Sequence, residues 1–190
     1  MGRMASAHEA VWPRHVFTVE EIQRMAEAGA FDEGPKVELL DGELVDVSPQ
    51  GPEHAALHTW LGDRLAAAYP ANVHVRRQCP IHAGSRSLPE PDIAVVRGEV
   101  RDYLDHHPRG RELVLAVEVS VSSQAIDRAK ARIYAAAGVP VYWWVDVAAR
   151  RLTVHEEPSP SGYLRISVVS ADDEVAVPES AVRWRVGELL

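Results

Sequence analysis

Two almost uninterrupted apolar runs, ELVLAVEVS (Glu112–Ser120) and VYWWVDV (Val141–Val147), flank one helix-length segment. Apolar runs without alternation read as strands buried on both faces. Between them Ser123 starts a helix to about Ala137, stopped by Gly138 and Pro140. Strand, helix, strand in this order predicts a right-handed crossover. Upstream, Thr18 caps a helix to Ala28, with Glu21 completing a capping box. Asp41-Gly42 between two apolar runs predicts a hairpin in VELLDGELVDVSP. Pro52 opens a second helix, Glu53 to Ala68, with Leu57, Leu61 and Leu65 on its buried stripe. Asn72–His82 and DIAVV (Asp92–Val96) read as strands, followed by a polar loop to Arg111. RLTVHEE, GYLRISVVS and VRWRVGELL read as strands of an antiparallel C-terminal extension. The fold class is α/β (α+β), with a core of helix, three strands, helix and strand. Residues 1–16 are expected to be a flexible tail and 17–190 a single domain.

Composition narrows the function classes. A net charge of −8 speaks against a coat for nucleic acid that ignores sequence, which needs a basic surface. It leaves open an enzyme that grips phosphates locally. No apolar run is long enough to span a bilayer, the N-terminus lacks the apolar core of a signal peptide, and Cys79 is the only cysteine. These features lead us to expect a cytoplasmic protein with no membrane association and with Cys79 as a bystander thiol. Of 20 basic residues only Lys36 and Lys130 are lysines. A lysine is therefore informative here.

Three residues stand out against this background. PEPDIAVV opens a strand with Asp92, and Glu118 interrupts ELVLAVEVS. Pairing the two strands as an antiparallel hairpin that hugs the loop, Arg97 opposite Leu113, sets Asp92 directly opposite Glu118. Opposed Cβ atoms lie roughly 5 Å apart. Two carboxylates that close need a proton or a cation between them, and hard Mg²⁺ suits such a pair. Each acid alone reads equally as a solvated or Arg-paired strand end. On the following helix, Ile126, Lys130, Ile133, Tyr134 and Ala137 share the apolar face, while Arg128 and Arg132 point away. A buried ammonium needs a partner, and the two carboxylates supply one. The other reading is a lysine that snorkels along the helix edge.

Pro91-Asp92, Glu118 on the next strand and this element order resemble the PD-(D/E)XK nuclease superfamily. More narrowly, VELLDGELVDVSP, His54, PDIAVV, LAVEVSVSS, DRAKARIYAAAGVPVYWWVD and VRWRVGELL resemble the Uma-two family of restriction-endonuclease-like proteins, over about Phe17 to Leu190. The resemblance implies a metal-dependent nuclease with DNA as substrate. Asp92 and Glu118 would be metal ligands, with the Val119 carbonyl as a further one, and Mg²⁺ or Mn²⁺ would be the cofactor. Where the superfamily carries its lysine, two residues after the Glu, this chain has Ser120; the family places the lysine on the next helix, which matches Lys130. Val121 stands where a proline is expected. Glu38 and His54 match positions near the site, and Glu38 would be the third acid if two metals bind. Arg76, Arg77 and Arg86 are candidate phosphate contacts. Cleavage of both strands of a duplex favours a homodimer.

Other readings compete. A nuclease fold that has lost activity would serve as a DNA-binding or protein-binding module, and RNA or a small phosphodiester would serve as substrate for a related enzyme. His54 and His58 have the i, i+4 spacing of a zinc site, but Ala55 replaces the glutamate of a zinc protease. His106-His107 read as surface. Trp143 and Trp144, in a run this apolar, read as core rather than as stacking platforms.

Overall fold

The computed structural model describes residues 13–121 and 124–190, and for 124–128 the backbone alone. Of the expected tail, residues 1–12 lie outside the described residues. So do Ser123, the expected helix start, and the side chains of Ile126 and Arg128.

Helix α1 (Val19–Glu27) begins on the Thr18 cap, whose side chain and Glu21 form the reciprocal capping box. Strands β1 (Val37–Leu40) and β2 (Glu43–Asp46) form the hairpin. Asp41 at φ 50° and Gly42 at φ 85° give its turn the left-handed pair that the Asp-Gly dipeptide favours. Helix α2 (Pro52–Ala68) buries Leu61 and Leu65.

A six-stranded sheet follows: β3 (Val73–Arg77), β4 (Ile93–Arg97), β5 (Leu113–Ser120), β6 (Val141–Asp146), β7 (Arg151–Ser159) and β8 (Gly162–Ser170) lie side by side in that order. Only β5 and β6 are parallel, joined through α3 (Gln124–Ala137) as the two apolar runs require. Alternation splits the core into two layers. Ile93, Val95, Val117, Trp143, Val145 and Leu152 face α2. Ala94, Val96, Ala116, Tyr142 and Trp144 face Tyr134 and Ala135 of α3. Trp143 and Trp144 are therefore core residues on opposite faces of one strand.

Three expectations need correction. The strand drawn over Asn72–His82 stops at Arg77, because Gln78 takes φ 50° and its N–H turns to the carbonyls of Pro91 and Asp92. The C-terminal VRWR segment does not extend the sheet. It forms β10 (Arg183–Arg185), paired with β9 (Glu174–Ala176), a strand not foreseen. Trp184, Val186 and Leu189 then close the α2 side of the core. Third, β4 and β5 do not keep the loop-hugging register throughout. Val96 rather than Arg97 faces Leu113, and an irregularity between Val95 and Val96 absorbs the difference. Beyond it, Ile93 pairs with Val117. Ile93–Val117 is the last pair of this ladder, and Asp92 and Glu118 are the residues that follow it.

Edge strand β8 exposes Leu164, Ile166 and Val168 at alternate positions. Among the described residues no helix is long and apolar enough to cross a membrane.

Candidate active site

Asp92 immediately precedes β4 and Glu118 lies near the end of β5, at one end of the sheet. Both occupy the positions that alternate toward α3. Lys130 reaches Glu118 from that helix, one turn before Tyr134. Glu38 comes from β1 and His54 from the first turn of α2. Five elements thus meet where two strands end. Glu38, Asp92, Glu118 and Lys130 are only 5%, 8%, 4% and 6% exposed, so each charge depends on its neighbours for compensation.

The contacts are specific. Lys130 Nζ lies 3.0 Å from Glu118 Oε1 and 3.0 Å from Glu38 Oε2. The Tyr134 hydroxyl donates to the same Glu118 Oε1 at 2.6 Å. The Val119 N–H donates to Asp92 Oδ2 at 2.8 Å, and His54 Nε2 lies 3.0 Å from that oxygen. Lys130 is thus buried and paired rather than snorkelling. Tyr134 was legible only as an inward-facing residue. Its i, i+4 spacing from Lys130 was the signal that it shares the lysine's surroundings.

Burial pushes the Glu118 carboxyl up to about 8; Lys130 pulls it down, while Asp92 and Glu38 add to the rise. Burial lowers the Lys130 ammonium, but the attraction of Glu118 and Glu38 outweighs it and carries the group above its ordinary value. The Tyr134 phenol rises well above 10, chiefly by burial and the Glu118 charge, so it remains a donor. One consequence is measurable. In the unfolded chain Glu118 releases its proton near the ordinary 4.5, whereas the folded chain keeps it to about 8. The folded state binds more protons in that window, so this group's contribution makes stability fall as pH rises from 4.5 to 8. Urea denaturation of the metal-free protein across that range checks it, with Glu118→Gln expected to flatten the slope.

Asp92, Glu118, Val119, Lys130, Glu38 and His54 all line a cleft of about 890 Å³ between the β1–β2 hairpin, the 47–51 loop and the sheet end. Its wall also carries Asp46, Glu53 and Glu90, against the cations Lys36 and Lys130. Lys36 is bound to Glu90. An acid-rich cleft of this kind repels a polyanion unless cations enter first.

The donor set fits a small divalent cation. The contacts of the Asp92 carboxylate with Val119 and His54 fall on Oδ2, and those of the Glu118 carboxylate with Lys130 and Tyr134 fall on Oε1. Oδ1 and Oε2 remain for a hard metal that keeps most of its waters. Glu38 is turned onto Lys130. No group of three His, Cys, Asp or Glu side chains among the described residues is arranged as a metal cage. Of the two histidines with zinc-like spacing, His58 Nδ1 lies 3.3 Å from the Ala55 carbonyl, and its ring stacks against His54 at 6.1 Å.

The structure does not bring the three candidate arginines to the cleft. Arg77 is bound to Asp63, Arg86 is exposed and Arg76 is half-buried on β3. None of them lines the cleft wall. Cys79 is half-buried, with Sγ 3.2 Å from the Arg77 carbonyl and outside the site.

No curated protein matches the chain. A solved structure, described as a "putative nuclease belonging to DUF820 from Anabaena variabilis ATCC 29413", shares the fold with a TM-score of 0.70. The two are 17% identical, and the match covers 87% of this chain and 96% of that one. The family model Uma2, described as "Putative restriction endonuclease", matches residues 19–186. The chain belongs to the Uma2 family of restriction-endonuclease-like proteins.

Proposed function

We propose that the protein is a metal-dependent endonuclease that hydrolyses phosphodiester bonds in DNA, with Asp92 and Glu118 as metal ligands and Lys130 as the assisting cation. One observation carries the reading: two buried carboxylates, Asp92 and Glu118, follow the last pair of the β4–β5 ladder, and both line an acid-rich cleft. When bound, Mg²⁺ or Mn²⁺ supplies charge neutralisation at the phosphate and a more acidic water. Asp92 Oδ1, Glu118 Oε2 and the Val119 carbonyl are the groups that would hold it. Lys130 keeps an ammonium beside Glu118, where it offsets negative charge as it grows on the phosphorus oxygens. In the overall reaction a water oxygen bonds to phosphorus and the bridging ester oxygen leaves; one water proton ends on that leaving oxygen, and the other stays on the new phosphate or passes to solvent.

The test is incubation of the pure protein with supercoiled plasmid and Mg²⁺ or Mn²⁺, beside Asp92→Ala and Lys130→Ala. Metal-dependent nicking lost in both variants supports the assignment. Nicking that survives both substitutions contradicts it. A protein that binds DNA and metal without cutting any substrate, RNA and small phosphodiesters included, would instead be the inactive binding module.

The homodimer belongs to the same proposal. Edge strand β8 offers an open ladder with the apolar stripe Leu164, Ile166, Val168, symmetric about Ile166. A two-fold antiparallel copy centred on Ile166 sets Leu164 against Val168 of the second copy. Arg165 is held within the chain by Glu156 and Glu157 at 3.2 and 3.4 Å, so like charges do not collide across the axis. Sedimentation is expected to show a dimer that Ile166→Asp converts to monomer. A dimer indifferent to Ile166→Asp would place the contact elsewhere.

A further inference from the structure

We propose that Tyr134 and His54 are positioning residues that limit Glu118 and Asp92 to one ligand oxygen each, and so make the site prefer a small octahedral cation over calcium. The proposal rests on the metal-site reading above and adds what selects the metal.

The geometry of the two carboxylates is parallel. Glu118 Oε1 accepts from the Tyr134 hydroxyl at 2.6 Å and from Lys130 Nζ at 3.0 Å. Asp92 Oδ2 accepts from the Val119 N–H at 2.8 Å and takes the His54 ring nitrogen at 3.0 Å. Since a carboxylate only accepts, His54 Nε2 is the donor. Each acid therefore spends one oxygen on two protein donors. An oxygen with two donors has little lone-pair density left for a cation, so binding through both oxygens of one carboxylate is disfavoured. Two single-oxygen ligands suit Mg²⁺ or Mn²⁺, which complete six positions with water at short distance. Calcium wants six to eight oxygens and commonly takes a carboxylate through both.

The donors are rigidly placed. Tyr134 is fully buried, and its ring centroid lies 5.2 Å from that of Tyr142 on β6. Lys130 and Val119 would hold one bond each even without Tyr134 or His54. Removing the second donor loosens the oxygen without stripping it bare.

The experiment is calorimetric titration of the full chain with Mn²⁺ and, separately, with Ca²⁺, for wild type, Tyr134→Phe and His54→Ala. Tyr134→Phe keeps the ring and its packing. His54, in the first turn of α2, offers a second variant should the first fail to fold. Melting curves confirm that each variant is folded. We expect the calcium-to-manganese affinity ratio to rise roughly tenfold in each variant, the scale on which such supporting hydrogen bonds act on metal sites. A wild type that binds Mn²⁺ while both variants keep its ratio overturns this inference and leaves the metal site standing. A wild type that binds no Mn²⁺ overturns both. A merely structural role would lower melting temperature without moving the ratio.

Discussion

Asp92→Ala is expected to reduce metal-dependent cleavage roughly 1000-fold, the scale of losing one electrostatic contact to the reacting centre. The substitution removes one of the two carboxylates and leaves Glu118 alone to hold a cation. It also removes the acceptor of the buried Val119 N–H, which costs about 1–3 kcal/mol. Activity and stability would then fall together, so Asp92→Asn separates them. Asparagine keeps an oxygen for Val119 and His54 but loses the charge. Asp92 is among the groups that raise the Glu118 carboxyl. Relieving that repulsion should make metal-free Asp92→Asn as stable as wild type or more so, while cleavage stays lost. Urea denaturation and plasmid nicking on the same preparation check the pair of outcomes. An Asp92→Asn protein that is stable and still cuts would remove Asp92 from the metal site.

Lys130→Ala is expected to destabilise the metal-free fold by about 3–5 kcal/mol, as removal of one partner from a buried ion network does. Lys130 is the cation that touches both Glu38 and Glu118. Without it, two desolvated carboxylates share one corner of the protein with Asp92 nearby. Protonation of Glu118, whose carboxyl already sits near 8, relieves part of this cost. Loss of the Lys130 ammonium removes the attraction that lowers it, so it rises further. A group raised in the folded state stabilises less as pH climbs through its folded value. The penalty should therefore be smaller near pH 6 than near pH 9, each pH bracketing the value of about 8. Adding Glu118→Gln to Lys130→Ala should recover much of the loss. A Lys130→Ala protein as stable as wild type at both pH values would mean that the ion network does not hold the site together.

Much of the architecture was legible because local and global signals agreed. Two apolar runs around one helix specified the parallel pair, and Asp41-Gly42 specified the hairpin turn. The register was legible as far as Ile93 opposite Val117, because the irregularity lies between Val95 and Val96, nearer the loop. Other features depended on tertiary placement. Glu38 is one acid in an ordinary hairpin until β1 is laid beside the sheet end. Only then does it meet Lys130, 92 positions away. The end of β3 was misread because Arg77, Gln78 and Cys79 carry no turn residue, and the break at Gln78 is set by bonds to the Pro91 and Asp92 carbonyls. Strand β9, three residues long, was too short to show a period. Tyr134 looked like core because it is core, with its hydroxyl on Glu118 as the exception.

The central claim is that a divalent cation sits between Asp92 and Glu118. Anomalous scattering from crystals grown with Mn²⁺ tests it most directly. A manganese peak bonded to one oxygen of Asp92 and one oxygen of Glu118 is expected, with Lys130 still on Glu118. Manganese bound elsewhere in the protein, with the two carboxylates left as they are, would contradict it.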